Sequence, residues 1–315
     1  MISFNPSVKL ILSDVDETIA DVYTDAESEM IERLEDILKE NRHLFLISGG
    51  GLESILNRVA LKIAPQLRHL ILIGHCSGAE VWGFTKEGDL RDRPFYSIYE
   101  DKFTDKQKSL FRKLTEQVIT EFKLETFPTM PVSEFIKITK KDPSSIMYVD
   151  RGPQITLELV NSYNMKAADG TFTDLRVALA HRFDQLFKEN DLPIESSLGG
   201  VFALDLKIKG VSKITAIRYI LDNDMAIHGY DLALNKGKES KEIEIWGDKF
   251  STISGSDRYM CLAMPKNVRA IDFRQEPLEE LPQGYNIVIW DGEKRLQQGC
   301  LEYLNSYFNN HGSRS

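Results

Sequence analysis

The chain is poor in cysteine, and its cysteines lack the spacing of a disulfide framework or a zinc site. Of 315 residues only three are cysteine, an odd number with no CxxC pair: Cys76, Cys261 and Cys300. Small secreted proteins held together by disulfides use many more, so a reducing compartment is expected. The six histidines show no ligand spacing, and His75-Cys76 lacks a partner pair for zinc.

Long apolar runs and an excess of positive charge are missing as well. No apolar stretch reaches the ~18 residues that a membrane helix needs, and the first ten residues lack the charged-then-apolar plan of a signal peptide. Lysine and arginine number 39 against 48 acids, a net charge of −9, which argues against general binding to nucleic acid. We therefore expect a cytoplasmic protein that binds neither membrane nor nucleic acid.

What the chain does contain is the composition of a folded protein. Hydrophobic residues make up 42% and charged residues 28% of the sequence, which excludes collagen-like and disordered chains. A chain of 315 residues is long enough for one large domain or two ordinary ones, each with its own core.

Short apolar runs alternate with amphipathic helical patterns at both ends of the chain. Continuous apolar runs are typical of strands buried on both faces, and their alternation with helices predicts a parallel sheet. The predicted class is therefore α/β, with a Rossmann-like, doubly wound, mostly parallel sheet. The strand-like runs are 8–13, 43–48, 69–74, 242–246, 268–273 and 286–290, and the helical patterns are 25–41, 52–63, 211–222 and 292–309.

The pattern changes after about residue 84 and returns near residue 208. The segment between begins with a polar, loop-like stretch over 85–100 and has helical patterns over 104–123 and 172–189. Strand-like segments occur at 145–150, 154–159 and 201–207. We interpret 1–84 and 208–315 as one domain and 85–207 as an α+β domain inserted into it.

Two carboxylates follow the first apolar run. Asp14 and Asp16 are two residues apart and come directly after this predicted strand, and in an open α/β sheet ligands bind beyond the carboxyl ends of the strands. Two close carboxylates repel each other unless a cation or a proton lies between them. A hard divalent cation such as Mg²⁺ suits them. The alternative is a solvated loop with two acids.

Polar residues also occur where other predicted elements end or begin. Ser48 and Gly49 follow the second strand, and a hydroxyl with exposed backbone N–H groups can hold phosphate oxygens, although an ordinary glycine-rich turn is the alternative. Asp248 follows the strand-like run after residue 241. Lys213 lies at a helix start, where it is either solvated or faces a phosphate.

Together these residues resemble the haloacid dehalogenase superfamily. The motif DVDET at 14–18 is followed in order by Ser48, Lys213, Asp248 and Asp257, as in that family. Further segments resemble phosphomannomutase-like and sugar-phosphatase-like members with a C2-type (subfamily IIB) cap. These segments are 150–156 (DRGPQIT), 199–205 (GGVFALD) and 247–249 (GDK).

The resemblance implies a mechanism and a set of roles. Asp14 is expected to attack phosphorus, Asp16 to act as acid and base, and Lys213 to neutralise charge on the phosphoryl group. Lys213 is preferred to Lys209 because it lies inside the helix start. Ser48 and Gly49 are expected to bind the phosphoryl group. Mg²⁺ is expected to be bound by Asp14, the backbone carbonyl of Asp16, Asp248 and Asp257.

Within the inserted domain, Arg151 and Gln154 are the candidate residues for binding the rest of the substrate. The expected partner is a small phosphorylated metabolite, most plausibly a sugar phosphate, and the expected state is a monomer or homodimer. A phosphohexomutase is the alternative, although Arg151 is the one convincing arginine of this domain for a second phosphate. A non-catalytic sugar-phosphate-binding protein is a further alternative. Glu17 departs from the family, which usually has glycine there.

Overall fold

The computed structural model divides into two compact units. One consists of Met1–Ser97 and Ser212–Ser315, and the other of Ile98–Val211. Both divisions fall later in the chain than the expected boundaries at 84/85 and 207/208. That the second unit is a C2-type cap stays a prediction. The structure describes residues 2–22, 24–162, 165–166, 172–222, 241–253 and 255–311.

Fifteen strands are found in the described residues. In chain order they are β1 Leu10–Ser13, β2 His43–Ile47, β3 Ile71–His75, β4 Glu80–Gly83, β5 Tyr96–Ser97, β6 Glu125–Phe127, β7 Ser145–Asp150, β8 Gln154–Glu158, β9 Met165–Lys166, β10 Phe172–Thr173, β11 Ile194–Gly199, β12 Ala203–Ile208, β13 Ile243–Gly247, β14 Arg269–Asp272 and β15 Ile287–Ile289.

Nine α-helices are found in the same residues. They are α1 Ser28–Lys39, α2 Leu52–Arg58, α3 Ile98–Lys102, α4 Asp105–Glu121, α5 Val132–Thr139, α6 Leu175–Glu189, α7 Lys213–Asp222, α8 Arg258–Ala263 and α9 Leu296–His311. None of these helices combines the length and the apolar character that crossing a membrane requires.

The first unit is built on an eight-stranded sheet with the order β15-β14-β13-β1-β2-β3-β4-β5. Neighbours from β15 to β3 are parallel, while β4 and β5 are antiparallel additions at one edge. The predicted α/β class with a large, mostly parallel sheet is therefore confirmed. β1 lies between β2 and β13. The strands that follow β1 in the chain extend the sheet on one side, as β2 and β3, and the last strands extend it on the other, as β13, β14 and β15. Such a reversal of strand order is where α/β sheets bind ligands.

Both faces of this sheet are covered, which explains the continuous apolar runs of its strands. Ile11 of β1 belongs to the core on the side of α1, α2 and α9, while Leu10 and Leu12 belong to the core on the side of α7 and α8. All three side chains are fully buried. Each such burial contributes about 1.5–3 kcal/mol, so β1 is held firmly from both sides.

The second unit has a five-stranded sheet with the order β11-β12-β8-β7-β6. Its neighbours are antiparallel apart from the parallel pair β6 and β7, and β9 pairs with β10 as a separate antiparallel ribbon. Helices α4 and α6 pack against each other, with Phe111 and Phe187 at a centroid distance of 5.7 Å. Capping by the Thr104 side chain, which accepts a hydrogen bond from Gln107 N, defines where α4 begins.

Two expectations about local structure are wrong. The helical pattern over 52–63 gives an α-helix only to Arg58, because Val59 leaves the helical conformation at φ −133° and a 3₁₀ turn follows. The stretch 85–100, expected to be loop-like, contains β5 and most of α3. The short β4, β6 and β9–β11 and the helices α3, α5 and α8 were not expected, because few residues in each carry a periodic signal.

Candidate active site at the carboxyl ends of β1 and β13

Three aspartates meet beyond the carboxyl ends of β1 and β13. Asp14 follows β1, its backbone N–H donating to the carbonyl of Trp246 at 3.0 Å, and Asp248 follows β13. Asp257 directly precedes α8 and reaches back to the same place. One carboxylate oxygen from each aspartate lies within 4.8 Å of the other two, and all three side chains are buried. The structure thus brings together three of the residues expected to bind Mg²⁺.

Lys213 supplies a positive charge within this group. It is the first residue of α7, is 3% exposed, and its Nζ donates to Asp14 Oδ1 and to Asp257 Oδ1, both at 2.7 Å. Lys209, the less favoured candidate, belongs to the second unit and is exposed. Burial opposes the charge of Lys213, but Asp14 and Asp257 outweigh that cost and raise its pKa above its usual range.

Three carboxyl groups surround one lysine, and burial together with the excess of negative charge raises the pKa of two of them. Burial, followed by the charge of Asp257, raises the pKa of Asp14 to about 7. Burial, followed by the charges of Asp257 and Asp14, raises the pKa of Asp248 to about 8. Three close carboxyl groups cannot all ionise unless positive charge compensates them. One lysine is not enough, so the three aspartates favour binding of a further cation.

The donor set fits a hard divalent cation. Asp248 Oδ1 is buried and accepts no hydrogen bond within the described part of the chain, although a buried carboxylate oxygen without a partner is costly. Oxygen ligands from several carboxylates are what Mg²⁺ prefers. Asp14 and Asp248 are the residues that would hold it, and bound there it would supply charge neutralisation for a phosphoryl group.

Asp257 orients its neighbours in the site through hydrogen bonds that it accepts. Its Oδ2 accepts hydrogen bonds from the backbone N–H groups of Asp248 at 2.9 Å and Lys249 at 3.0 Å, while its Oδ1 accepts from Lys213. Since both oxygens already have partners, its main effect is to orient Asp248 and Lys213. Gly247 permits this close approach, because a Cβ there would lie 2.6 Å from Asp257 Oδ2.

Ser48 and Asp16 contact each other through their side chains. The Ser48 hydroxyl follows β2, donates to Asp16 Oδ2 at 3.2 Å and accepts from Gly50 N–H at 2.9 Å. It is 1% exposed, whereas Gly49 is exposed. The carboxylate of Asp16 is not one of the three clustered aspartates, although its charge contributes to the raised pKa of Asp14. The expected metal contribution of its backbone carbonyl stays a prediction.

Arg58 was not identified from the sequence, yet it binds the predicted acid. Its Nη1 donates to Asp16 Oδ1 at 2.7 Å, and its remaining donors are fixed by the carbonyls of Thr24 at 2.6 Å and Asp21 at 2.8 Å. With Ser48 on the other oxygen, the carboxylate of Asp16 is held in one orientation. The position of Arg58 at the last turn of α2, after the Ser48 turn, was its one signal.

A second ion-pair group surrounds Glu17 and includes Asp248. Glu17 Oε2 accepts from Lys249 Nζ at 2.8 Å and from Arg274 Nη2 at 2.5 Å. Arg274 also donates to Asp248 Oδ2, from Nη2 at 2.5 Å and from Nε at 3.1 Å. Although burial opposes it, pairing with Lys249 and Arg274 lowers the pKa of Glu17.

Arg274 was also not identified from the sequence, although the aspartate that ends the preceding strand pointed to this turn. β14 ends in Asp272, so the rule of polar residues at strand ends applies there as it does at Asp248. Asp272 Oδ1 accepts from Arg274 N–H at 2.9 Å and its Oδ2 from Glu276 N–H at 2.6 Å. This carboxylate shapes the turn that presents Arg274 to Asp248.

In the second unit, Arg151 and Gln154 lie at the hairpin between β7 and β8. Arg151 N–H donates to the carbonyl of Gln154 at 2.8 Å. The Gln154 amide donates to Asp205 Oδ1 at 2.9 Å, and the Thr156 hydroxyl donates to the same oxygen at 2.7 Å. Burial raises the pKa of Asp205, although Thr156, Arg151 and Gln154 oppose the shift. A role for Arg151 and Gln154 in substrate binding stays a prediction.

Comparison with known proteins gives matches among solved structures. Neither a family model nor a curated protein matches the chain. The C-terminal domain of a trehalose-6-phosphate phosphatase from C. albicans has a TM-score of 0.57 at 12% identity, covering 95% of this chain and 92% of that one.

Two further solved structures resemble the chain over most of its length. A haloacid dehalogenase-like hydrolase from Bacteroides thetaiotaomicron has a TM-score of 0.55 at 16% identity, covering 95% of this chain and 99% of that one. A C-terminally truncated IMP-nucleotidase from Plasmodium falciparum has a TM-score of 0.50 at 14% identity, covering 95% and 71% respectively. This chain therefore has the fold of the haloacid dehalogenase-like hydrolases.

Proposed function

We propose that this protein is a Mg²⁺-dependent phosphatase that hydrolyses a small phosphate monoester of the sugar phosphate class through an aspartyl-phosphate on Asp14. The observation that carries the proposal is the buried group of Asp14, Lys213, Asp248 and Asp257 at the switch point of the sheet. A structural salt bridge has no need of three convergent carboxylates around one lysine, whereas phosphoryl transfer requires a nucleophile and fixed positive charge.

In the first step, a carboxylate oxygen of Asp14 attacks phosphorus and the bond from phosphorus to the leaving oxygen breaks. Lys213 fixes Asp14 Oδ1 at 2.7 Å, which leaves Oδ2 to form the new bond. The leaving alkoxide takes a proton from Asp16. Dividing one difficult displacement into two easier ones is the gain of covalent catalysis.

In the second step, water attacks the phosphorus of the aspartyl-phosphate and gives its proton to Asp16. The bond between phosphorus and the Asp14 oxygen then breaks, which restores the carboxylate and releases inorganic phosphate. Acid–base assistance of this kind contributes about 10²–10⁴-fold. The Ser48 hydroxyl, which donates to Asp16 Oδ2 at 3.2 Å in the structure, turns this hydrogen to a phosphoryl oxygen when substrate binds. Asp16 Oδ2 is then free to carry the proton that Asp16 gives and takes back.

The proposed substrate class follows from the fold and from two residues of the second unit. Solved structures with this fold include a trehalose-6-phosphate phosphatase and an IMP-nucleotidase, which supports sugar and nucleoside monophosphates as candidates. Arg151 has a planar fork of donors that suits an anionic group. Gln154 lies beside it at the start of β8, buried, with its amide donating to Asp205. We propose that these two residues contribute to the choice of substrate.

The test is phosphate release from a panel of sugar and nucleoside monophosphates, with and without Mg²⁺, by wild type and Asp14→Asn. We expect Mg²⁺-dependent release that the substitution reduces on the order of 10⁴-fold or more, as for loss of a nucleophile. Activity that survives in Asp14→Asn would show that the nucleophile is misassigned.

The same panel separates the alternatives. Conversion of hexose 1-phosphate to hexose 6-phosphate after addition of a hexose bisphosphate, without net phosphate release, would identify a phosphomutase. Binding of a sugar phosphate with neither reaction would identify a binding protein. A folded Asp14→Asn variant, checked by circular dichroism, is the control in each case.

A further inference from the structure

Glu17 has a backbone conformation that glycine prefers. Its φ is 60°, in the left-handed region, and it lies in the turn between β1 and α1, where Glu17 N–H donates to the carbonyl of Ala20 at 2.7 Å. A non-glycine residue in this region is strained, and strain of this kind tends to accompany functional sites. The contribution of a glutamate here therefore has to come from its side chain.

The side chain of Glu17 shares two cations with Asp248. Arg274 Nη2 lies 2.5 Å from Glu17 Oε2 and 2.5 Å from Asp248 Oδ2. Lys249 Nζ is 2.8 Å from Glu17 Oε2 but 3.7 Å from Asp248 Oδ2. Lys249 is thus bound to Glu17 in preference to Asp248, although it directly follows Asp248 in the chain.

This arrangement leaves one oxygen of Asp248 for another ligand. Arg274 occupies Oδ2, while Oδ1 is buried and accepts no hydrogen bond among the residues that the structure describes. The side chain of Lys249 is 42% exposed, and its four-carbon chain is flexible, so its ammonium group can move. Without Glu17 its ammonium group would be drawn to Asp248 or to Asp14, because close opposite charges at a partly buried site attract strongly.

We propose that Glu17 is a positioning residue that holds Lys249 away from Asp248, so that Asp248 Oδ1 stays available to a divalent cation. The inference rests on the cation site of the proposed function. It assigns no catalytic contact to Glu17. It also accounts for the carboxylate that stands where the family usually has glycine.

The test is Mn²⁺ binding to the full-length protein, measured by the electron paramagnetic resonance signal of free Mn²⁺ and by calorimetry. Glu17→Gln is expected to weaken Mn²⁺ binding about tenfold, or about 1.4 kcal/mol, because Lys249 then competes with the cation. The double variant Glu17→Gln/Lys249→Met is expected to bind within about threefold of wild type. Lys249→Met alone is expected to bind at least as tightly as wild type.

The matched control is Asp36→Asn on α1. Asp36 also accepts from one arginine and one lysine, Arg33 at 2.8 Å and Lys39 at 3.3 Å, and is 30% exposed against 21% for Glu17. Its loss is expected to leave Mn²⁺ binding unchanged. Thermal unfolding without metal shows whether each variant is folded.

The outcomes separate this inference from the proposed function. If wild type binds Mn²⁺ and Glu17→Gln binds it equally well, the inference is wrong and the phosphatase proposal stands. If Glu17→Gln binds weakly but Lys249→Met does not restore binding, Glu17 has a merely structural effect and the inference is also wrong. If wild type itself fails to bind Mn²⁺, the cation site of the proposed function is wrong, and the inference is wrong with it.

Discussion

Asp257 shows how a single carboxylate can organise a site without lying at its centre. It holds two backbone N–H groups with one oxygen and Lys213 with the other. Its side chain is fully buried, so loss of Lys213, its charged partner, would leave an unpaired charge inside the protein, which is costly. The geometry depends on Gly247, whose lack of a side chain makes room for Asp257.

We predict that Gly247→Ala displaces Asp257 because the added methyl group collides with it. The added Cβ would lie 2.6 Å from Asp257 Oδ2 and 2.9 Å from its Cβ and Cγ. Overpacking of this kind costs about 1–3 kcal/mol, so urea unfolding should show a free energy of unfolding lower by that amount. Displacement of Asp257 should also weaken Mn²⁺ binding and lower kcat.

Gly74→Ala is the matched control for this prediction. It adds a methyl group to β3 of the same sheet, 3.2 Å from Phe45 and 3.3 Å from Ile47. The Gly74 carbonyl, which accepts from Ser48 N–H at 3.0 Å, is retained in this variant. We expect a smaller loss of stability and unchanged Mn²⁺ binding. Equal effects of the two variants on Mn²⁺ binding would contradict the role given to Gly247.

At the scale of elements, the site residues that could be predicted from the sequence are those that directly follow a strand. β1 is followed by Asp14, β2 by Ser48 and β13 by Asp248, and each position could be located because an apolar run marks the strand before it. Parallel strands bring their carboxyl ends to one edge of the sheet. The same two facts would have identified Asp272 at the end of β14, had they been applied there.

The partners of these residues could not be predicted in the same way. Arg58 binds Asp16 from 42 residues away, and Arg274 binds Glu17 from 257 residues away. Arg58 lies in the helical pattern over 52–63 and Arg274 follows the apolar run 268–273. Neither pattern distinguishes a site arginine from an ordinary solvated charge. Contacts of this kind follow from packing of α2 and from the turn after β14, which the sequence pattern does not define.

At the scale of the whole molecule, the buried acids couple stability, pH and metal. The pKa values of Asp14 and Asp248, about 7 and about 8, are above the ordinary aspartate value. At these two groups, the metal-free native state therefore binds more protons than the unfolded state between about pH 4 and pH 8. Rising pH removes these protons, so it should destabilise the metal-free protein through that range.

We predict that Mg²⁺ reverses this trend. The cation binds the deprotonated carboxylates, so its binding releases protons and its affinity should rise about tenfold per pH unit near pH 7 where one proton is released. Thermal unfolding should show a Tm increase on Mg²⁺ addition that grows from pH 6 to pH 8.5. A Mg²⁺ effect independent of pH would contradict the pKa values given to Asp14 and Asp248.

The most direct test of the central claim is to look for the phosphoryl group on Asp14. Wild type is mixed with a substrate found in the panel, or with p-nitrophenyl phosphate, in the presence of Mg²⁺ and is quenched in acid during turnover. Mass spectrometry of the peptides is expected to show one phosphoryl group on Asp14 in wild type and none in Asp14→Asn. Turnover by wild type with an unmodified Asp14, or a phosphoryl group retained in Asp14→Asn, would contradict the account.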